Sequence, residues 1–344
     1  MIDRSRRHLH RLFILVLLAL AVPAQGQEVI VFASIDEAIE LLEQEGFWGE
    51  ERRGEQLDVP RIILTGINPR WRSASQALPV SHKKEIFYRA MLPLILHANS
   101  MVLDRRSRLL EVEQAFRSGD GIAAGDLELL RSAAVLLRVT DAESAAEVGP
   151  EHADFAKILD ELLYKLDIIP AGLALGQAAY ESGYGTSRFA VEGNAFFGQW
   201  TYGGKGLVPE QQRKSLGDHR IAAFDWPFDS VRGYFINLMS HPAYEEFRRL
   251  RAEARAAGRP LRSMELADGL VRYSERGQEY VDTLKGIIRV NRLDIADDAI
   301  FRDEPMRFSI GAEDEAAADE LRRNIEKMRA SGELAEIIAR MRLE

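Results

Sequence analysis

The stretch from Leu173 to Trp200, LALGQAAYESGYGTSRFAVEGNAFFGQW, decides how the surrounding chain folds. Its first part is rich in alanine and leucine, which are strong helix formers and favour a helix over residues 171–180. Gly183 and Gly185 come directly after the acidic residue Glu181, and glycine is the usual residue just past a helix C-terminus. The pattern therefore predicts a helix whose last turn carries Glu181.

The predicted position of Glu181 is unfavourable for a charged carboxylate. The C-terminal end of a helix has partial negative charge, and the residues one and two turns back, Gln177, Ala178 and Ala174, are small or neutral. The helix dipole and partial loss of solvent would both raise the pKa of the carboxyl group. A raised carboxyl pKa suits a general acid near neutral pH. On the local pattern alone, the alternative is a solvated glutamate at a frayed helix end.

The composition limits the classes of function. The 344 residues are 46% hydrophobic, enough for one or two packed domains. The formal net charge is -9, so the protein lacks the strong positive field that a nucleic-acid-binding protein needs. We therefore do not expect nucleic acid as a partner. The sequence contains no cysteine, which excludes disulfides, thiolate metal sites, a cysteine nucleophile and a lipid-modified N-terminal cysteine.

Other familiar catalytic patterns are missing from the sequence. No two histidines have His-x3-His spacing and there is no HExxH, so nothing supports a zinc hydrolase. There is no Gly-x-Ser-x-Gly elbow. The segment GGKG at residues 203–206 lacks the spacing of a phosphate-binding loop. We therefore expect neither a metal ion nor an organic cofactor.

The N-terminus has the architecture of a secretory signal peptide. Four arginines precede the unbroken apolar run Leu12–Val22, which is too short for a comfortable membrane span. Val22-Pro23-Ala24 offers a small-residue cleavage site, so we expect residues 1–24 to be removed. An uncleaved membrane anchor is the alternative. The predicted location is the periplasm or cell envelope of a bacterium, with no membrane contact if the signal is cleaved.

The region 25–150 is predicted to be mainly helical. Its expected helices are Ser34–Glu45, capped by Ser34, then Ser81–Arg117 and Asp126–Arg138. Pro93 lies inside the second of these and predicts a kink or a break. The segment from Val59 to Leu64 reads as a short extended piece, which Pro60 restricts to an edge or an isolated strand. Residues 140–150 form a polar linker and a candidate domain boundary.

The region 151–296 is predicted to combine helices with a small β-lobe. Residues 193–224 are rich in glycine and favour a loop or lobe, with residues 221–224 as one strand. Trp200 and Trp226 fall in or beside it, which suits a sugar-binding cleft or, alternatively, a core. The helices expected around the lobe are Glu151–Leu166, Asp229–Met239, Tyr244–Ala256, Ser263–Tyr273 and Gln278–Leu293. Residues 297–344 read as an acidic linker and amphipathic C-terminal helices interrupted at Ser331-Gly332.

Two motifs in this region resemble a known family. QAAYESGYGTSRFA followed by GNAFFGQW is similar to the glucosaminidase domain of bacterial autolysins, the flagellar peptidoglycan hydrolase and glycoside hydrolase family 73. FDSVRGYFINLMSHPAY and YSERGQEYVDTLKGIIRVNRL resemble that family's later helices, so the likeness covers about residues 151–293. The residues that match the family pattern are Gln177, Glu181, Ser182, Gly183, Gly185, Ser187, Asn194, Phe197, Gly198, Ser230, Tyr234, Tyr273 and Tyr280.

Upstream segments extend the likeness. VPRIILTGINP and HKKEIFYRAMLPLILHANSMVLDRRSRLL resemble the region that precedes this domain in the bacterial Bax family, which is unrelated to the apoptotic protein of that name. GQWTYGGKGLVP is also similar to that family. The resemblance then spans roughly residues 59–293. By it, the fold is mainly α (α+β): a lysozyme-like helical domain with a small β-lobe over the cleft, preceded by a helical N-terminal region.

The resemblance also implies an activity and its residues. Peptidoglycan glycan strands would be the substrate, cut after N-acetylglucosamine by an endo-β-N-acetylglucosaminidase with Glu181 as general acid. Tyr234 or Tyr280 would orient the acid or stabilise the transition state. The residues implied to bind substrate are Gln177, Ser182, Asn194, Phe197, Trp200, Trp226 and Tyr273.

The sequence departs from the family where a second acid is commonly found. The lobe segment LVPEQQRKSLGDHRIAAFD offers Glu210, Asp218 and Asp225, of which Asp218 is favoured. Arg220 stands where related sequences place a glutamate, and Ala195-Phe196 replaces a common Asn-Leu. Alternatively the lobe has no dedicated base and the N-acetyl group of the substrate assists, an exception known among glycosidases.

Two other functions fit the same sequence. A lytic transglycosylase on this scaffold needs one acid and no activated water. A non-catalytic peptidoglycan-binding or scaffold protein would use the N-terminal helices to contact a protein partner, whose identity the sequence does not give.

Overall fold

Helices dominate the computed structural model, which describes residues 28–49, 56–66, 68, 70–201, 205–208 and 220–339. Three small sheets accompany them, which confirms the predicted mainly α (α+β) class. The elements of the first half are β1 (Glu28–Phe32), α1 (Ile35–Gln44), β2 (Asp58–Val59), β3 (Ile62–Leu64), α2 (Trp71–Ala77), α3 (Val80–Ser118), α4 (Ala124–Leu136), α5 (Ala142–Glu147) and α6 (Phe155–Lys165).

The second half begins with the helix that carries Glu181. Its elements are α7 (Ala171–Ser182), α8 (Arg188–Gly193), β4 (Trp200–Thr201), β5 (Gly206–Leu207), β6 (Arg220–Ala222), α9 (Pro227–Ser240), α10 (Glu245–Ala256), α11 (Ser263–Leu266), α12 (Gln278–Val290), β7 (Ile300–Phe301), β8 (Arg307–Gly311), α13 (Glu315–Ser331) and α14 (Glu333–Ala339). Short 3-10 helices lie at Pro242–Tyr244, Ala267–Leu270 and Leu293–Asp298.

Helix α7 is the centre of the molecule. Every residue from Ala171 to Ala179 is buried, so this helix has no solvent-facing side until its last turn. Gly172 and Gly176 allow neighbours to approach its backbone: a Cβ on Gly172 would lie 2.2 Å from the carbonyl oxygen of Leu293, and one on Gly176 would lie 3.0 Å from Leu284 Cδ1. The small residues that favour the helix in the sequence therefore also permit its close packing.

The start of α7 is fixed by buried polar groups. The side chain of Asn99 on α3 donates to the carbonyl of Ile169 (2.8 Å) and accepts from its N–H (3.0 Å). Arg251 on α10 is fully buried and donates to the carbonyls of Lys165 and Asp167, at 2.6 and 2.8 Å. Asp297 accepts from the N–H of Gly172 at 3.0 Å. Because these groups are satisfied away from solvent, they set the axial position of α7 and hence of Glu181.

Helix α3 runs unbroken for 39 residues, against the prediction of a kink or break at Pro93. Pro93 lies on the buried face of α3, between Met91, Leu92, Leu94 and Ile95. The packing of this face offsets the loss of one backbone hydrogen bond, which costs about 3 kcal/mol in a helix interior. By length and composition α3 could cross a membrane, but 67% of its most apolar window is buried inside the protein, as in a core helix.

The β-lobe is an antiparallel sheet in the order β4-β6-β5. Trp200 pairs with Ile221, and Leu207 pairs with Ile221 from the other side. The strand expected at residues 221–224 is thus present, shifted to Arg220–Ala222. Asn194, left-handed at the end of α8, ties the lobe to the helices because its Nδ2 donates to the carbonyls of Phe224 and Asp225, both at 3.1 Å.

The tail holds the largest departure from expectation. Residues 297–344 were predicted to contain an acidic linker and helices, yet they include β8, which forms the middle strand of a parallel sheet in the order β1-β8-β3. β2 also pairs with β7. The N-terminal region is therefore not purely helical, and its strands are completed by the tail. The break at Ser331-Gly332 is confirmed, since α13 ends at Ser331 and α14 begins at Glu333.

Two further boundaries differ from expectation. Residues 140–150, predicted as a polar linker, contain α5, which is capped by Asp141 and buries Ala145. One hydrophobic core runs through the regions on both sides of this segment. Helix α9 begins at Pro227 rather than at the predicted cap Asp229-Ser230, because proline is well suited to the first turn of a helix. The assignment of residues 1–24 as a signal peptide falls outside the described residues.

Candidate active site

Glu181 lies in the last turn of α7, two residues before the left-handed Gly183 that ends the helix, as the sequence predicted. Its side chain is half-buried, and burial raises the pKa of its carboxyl group from 4.5 to about 7. A hydrogen bond with Tyr280 lowers that pKa and opposes the effect of burial. Near neutral pH a large fraction of Glu181 is thus protonated, which is the state that a general acid requires.

A chain of buried hydrogen bonds leads to this carboxyl group. The hydroxyl of Tyr234 donates to Gln177 Oε1 at 2.6 Å, and Gln177 Nε2 donates to the hydroxyl of Tyr280 at 2.9 Å. Because the Tyr280 oxygen accepts from Gln177, its own proton is free to point to Glu181, with which it is hydrogen-bonded. Burial raises the pKa values of both tyrosines, so both hydroxyls keep their protons.

The loop after α8 closes over Glu181. Gly198 has a φ of 61°, and a Cβ on it would lie 2.9 Å from Glu181 Oε2. Only glycine combines this backbone conformation with such an approach to a carboxylate. The loop is held by two contacts: Phe196 N–H donates to the buried Ser230 Oγ (3.1 Å), and the Tyr273 hydroxyl donates to the carbonyl of Phe197 (2.9 Å).

Aromatic rings pack behind the acid. Phe197 stacks on Tyr234 with ring centroids 4.0 Å apart and planes 9° apart. Tyr273 stacks on Tyr280 at 5.5 Å and 13°. Apart from its half-buried member Tyr273, this cluster is buried, so it gives Glu181 a rigid apolar wall. The wall excludes solvent from one side of the carboxyl group, which explains the raised pKa of Glu181.

Glu181 opens onto a cleft of about 1130 Å³. The cleft is partly open to solvent and has mixed polar and apolar walls, as expected for a site that binds a polar polymer. Trp200 lies at its edge with 47% of its surface exposed, and such a ring can stack on a sugar face. The residues that line it are Arg138, Glu181, Phe197, Gly198, Gln199, Trp200, Asn237, His241, Tyr244, Val271, Arg272, Tyr273, Ser274, Glu275, Arg276 and Gly277.

The structure brings Glu181, Phe197, Trp200 and Tyr273 together on the cleft wall. Gln177, Tyr234 and Tyr280 lie behind it, fully buried, where they contact the acid directly or through one another. Their placement supports a role in orienting Glu181 and gives Gln177 no access to a sugar.

Three other residues predicted to bind substrate lie elsewhere. Ser182 is fully buried, where its Oγ donates to the Ala178 carbonyl (2.6 Å) and accepts from Gly185 N–H (2.9 Å). Asn194 uses its side-chain amide to bind the lobe, and Trp226 packs against the hydrophobic core outside the cleft lining. All three side chains hold the shape of the site instead of facing it.

The predicted second acid is not placed by the structure. Asp218, the favoured candidate, and Glu210 lie outside the described residues. Asp225 is exposed, ion-paired with Lys205, and absent from the cleft lining. Among the described residues, the carboxylates that line the cleft are Glu181 and Glu275.

Sequence reasoning missed several residues of the cleft. Asn237 and His241 occupy the last turn of α9 and the residue after it, and Tyr244 follows two residues beyond the helix-ending Pro242. The spacing Asn237–His241 is one helical turn and could have shown that both residues share the face of α9 that contains Tyr234. Glu275 lies in the loop that follows Tyr273, which had no pattern to mark it.

Within the part of the chain that the structure describes, no three histidine, aspartate or glutamate side chains come together as a metal site. Separately, the cleft contains a carboxyl group with a raised pKa, Glu181, and polar side chains that can contact a polar ligand.

Comparison with known proteins places these residues in a family context. Residues 156–293 match the family described as Glucosaminidase, mannosyl-glycoprotein endo-beta-N-acetylglucosaminidase. The chain is similar to Protein bax of Escherichia coli (strain K12), with 34% identity over 135 residues, which are 39% of this chain and 47% of that protein. The match thus spans about half the length of that relative. No solved structure matches the chain. The predicted resemblance to a Bax-type glucosaminidase-domain protein is confirmed.

Proposed function

Because residues 156–293 form a glucosaminidase-family domain, we propose that this protein is an endo-β-N-acetylglucosaminidase that cleaves peptidoglycan glycan strands with Glu181 as its general acid. The observation that carries the proposal is the pKa of about 7 at a carboxyl group that opens onto a sugar-sized cleft. The likeness of the QAAYESGYG and GNAFFGQW motifs to peptidoglycan-cleaving enzymes supports the choice of substrate.

The reaction uses the geometry around Glu181 directly. The protonated carboxyl group of Glu181 donates its proton to the glycosidic oxygen as the bond from that oxygen to the anomeric carbon breaks. The sugar ring takes on positive charge, and water attacks the anomeric carbon. The attacking water gives up one proton to the solvent as the reducing end forms, and the Glu181 carboxylate takes up a proton from solvent before the next turnover. Tyr280 donates to the newly formed Glu181 carboxylate and so stabilises it. Trp200 holds a neighbouring sugar by stacking.

A lytic transglycosylase is the second candidate, since one acid is enough for it. In that reaction a hydroxyl of the same sugar, rather than water, attacks the anomeric carbon and closes an anhydro ring. The observation that favours it is that, of the two carboxyl groups among the described residues of the cleft lining, Glu181 is half-buried and Glu275 is exposed, so one acid is set apart by its environment. A third candidate, a non-catalytic binding protein, is less well supported, because sugar binding alone does not require a carboxyl group with a raised pKa.

Digestion of purified sacculi tests the proposal. The wild-type protein should release soluble fragments, and Glu181→Gln should abolish release while it keeps binding to sacculi. Mass spectrometry of the products should show reducing N-acetylglucosamine ends, whereas anhydro-muramyl ends would establish the transglycosylase. Glu192→Gln, at an exposed ion-paired glutamate of α8, is the matched control and should digest normally. Digestion by Glu181→Gln at the wild-type rate would show that the acid is wrongly assigned.

The proposal includes a location, the periplasm or cell envelope, because the substrate lies there. The proposed location depends on residues 1–24, whose arginines and apolar run resemble a secretory signal sequence. N-terminal sequencing of the protein recovered from the periplasmic fraction should begin near Gln25. Recovery of the intact N-terminus from a membrane fraction would instead favour the anchored form.

A further inference from the structure

A second cavity adjoins the cleft. It measures about 530 Å³ and is also partly open to solvent. Arg138 lines both cavities and so lies at the border between them. We call the second cavity, with Arg138 at its border, the passage. The other residues that line the second cavity are Val139, Thr140, Ser144, Val148, His152, Asp154, Lys157, Ile158, Glu161 and Lys165. Most of these precede residue 156, outside the range that matches the glucosaminidase family.

The backbone of Arg138 is held in an unusual conformation. Helix α4 ends in the two hydrogen bonds of a Schellman motif, from Arg138 N–H to Val135 O (3.1 Å) and from Val139 N–H to Ala134 O (2.8 Å). The left-handed residue of this motif is usually glycine, but here it is Arg138, with a φ of 55°. A side chain in this conformation is strained, and such strain is found preferentially at functional sites.

Lys165 stabilises the same turn through hydrogen bonds to its backbone carbonyls. It is buried, and its Nζ donates to the carbonyls of Leu137 (3.1 Å) and Arg138 (3.3 Å). Its charge is also paired with Glu161 at 3.3 Å. Lys165 therefore fixes the turn that presents Arg138 and is not itself available to a ligand.

The guanidinium of Arg138 is available. Its side chain is exposed and makes no ion pair with any described residue. It lies close enough to His241, on the cleft side, to contribute with burial and Arg248 to lowering the pKa of that imidazole. On the far side, Lys157 adds a second exposed cation and Asp154 an anion. Because Lys165 and Glu161 are paired to each other, the charged side chains left to contact a ligand here are Arg138, Lys157 and Asp154.

We infer that the passage beside Arg138 receives the peptide that peptidoglycan carries on its glycan strand, and that Arg138 binds a carboxylate of that peptide. The inference rests on the proposed function, because it places the glycan in the adjoining cleft. A guanidinium binds a carboxylate through two parallel hydrogen bonds, which the hydroxyl and acetamido groups of the sugars do not offer. The hydroxyls of Thr140 and Ser144 and the imidazole of His152 suit the amide groups of a peptide.

The test compares two substrates. Purified sacculi are digested either intact or as peptide-free glycan, from which an amidase has removed the peptides and in which the lactyl carboxylates exposed by the amidase have been converted to amides. Arg138→Ala should lower the rate at limiting substrate about tenfold on intact sacculi, the size of one charge-assisted pair. On peptide-free glycan its rate should equal that of the wild type. Equal losses on both substrates, or no loss on either, would overturn the inference.

Two further variants separate binding from folding. Arg138→Gly removes the strain along with the guanidinium, so its melting temperature should equal or exceed the wild-type value while the loss on intact sacculi persists. Arg323→Ala changes an exposed arginine of α13 that lines neither cavity and should behave as the wild type. Loss of rate on intact sacculi only in variants with a lowered melting temperature would also overturn the inference.

Failure of the proposed function would look different. If the wild type digests neither substrate, the proposed hydrolase activity fails, but binding of the wild type and Arg138→Ala still tests the passage. Binding to intact sacculi is measured by co-sedimentation and binding to the dissolved peptide-free glycan by calorimetric titration. The wild type should bind intact sacculi about tenfold more tightly than Arg138→Ala does, and the two proteins should bind peptide-free glycan equally. Equal binding of the two proteins to intact sacculi would refute the role of Arg138 on its own.

Discussion

The substitution Glu181→Gln should make the protein more stable as well as inactive. The folded protein holds Glu181 where burial raises its pKa from 4.5 to about 7. Between these two pH values the unfolded chain loses this proton while the folded protein keeps it, so wild-type stability falls as pH rises from 4.5 to about 7. Glutamine has no proton to lose, and the variant escapes this decline.

The magnitude follows from the same two values. At about 1.4 kcal/mol for each pKa unit, keeping Glu181 buried and charged costs about 3 kcal/mol once the pH is well above 7. At pH 5 the unfolded chain already releases part of its proton, so a comparison between pH 5 and pH 8 should capture about 2.5 kcal/mol of it. The variant should accordingly gain about that much stability over the wild type between the two pH values.

Urea unfolding followed by tryptophan fluorescence measures the effect. Both proteins are unfolded at pH 5, 6, 7 and 8, and the difference in unfolding free energy is plotted against pH. The difference should grow up to about pH 7 and then level off. Glu192→Gln, at an exposed glutamate, should give a flat difference. A flat plot for Glu181→Gln as well would refute the reasoning that burial controls the acid.

Three further outcomes are expected at the cleft. Tyr280→Phe removes the hydrogen bond that lowers the pKa of Glu181, so the pH above which activity falls should move upward in a pH–rate profile. The same variant should lose about 1–3 kcal/mol of unfolding free energy, measured with urea, because Gln177 Nε2 loses its hydrogen-bond partner. Gly198→Ala should lower kcat at least tenfold, since its methyl group would displace Glu181 Oε2, and a wild-type kcat would contradict this. The variant should also lose about 1 kcal/mol of unfolding free energy, because alanine is strained at the positive φ of residue 198. Trp200→Ala should raise KM several-fold and leave kcat unchanged on glycan of defined length, whereas the same change at Trp226 should act on stability alone.

Much of helix α7 could be predicted from the sequence because its determinants are local. Alanine and leucine set the helix, Gly183 ended it, and the acid fell in the last turn as expected. Ser34 likewise caps α1 by accepting from Glu37 N–H. The cause of the raised pKa could be only half anticipated. Burial is the main cause of the raised pKa of Glu181, and it arises in part from the stacked rings of Tyr273 and Tyr280, which lie about a hundred residues further along the chain, so that no local pattern reveals it.

The predictions from sequence that were wrong concern residues whose surroundings come from segments far away in the chain. Ser182 and Asn194 match a motif, but whether a polar side chain faces a ligand or a backbone carbonyl depends on where the neighbouring turn lies. Pro93 is tolerated because the helix around it is buried. β8 was missed because five residues of ordinary composition become a strand only when β1 and β3 are beside them.

The parallel sheet has a consequence for how the protein is made. Its two outer strands, β1 and β3, lie near the start of the chain, and the strand between them ends at Gly311. A ribosome would therefore release both outer strands long before their shared partner, and the sheet could not form until Arg307–Gly311 had been made. A chain cut short before β8 would keep Glu181 in its sequence but lose the strand that joins β1 to β3.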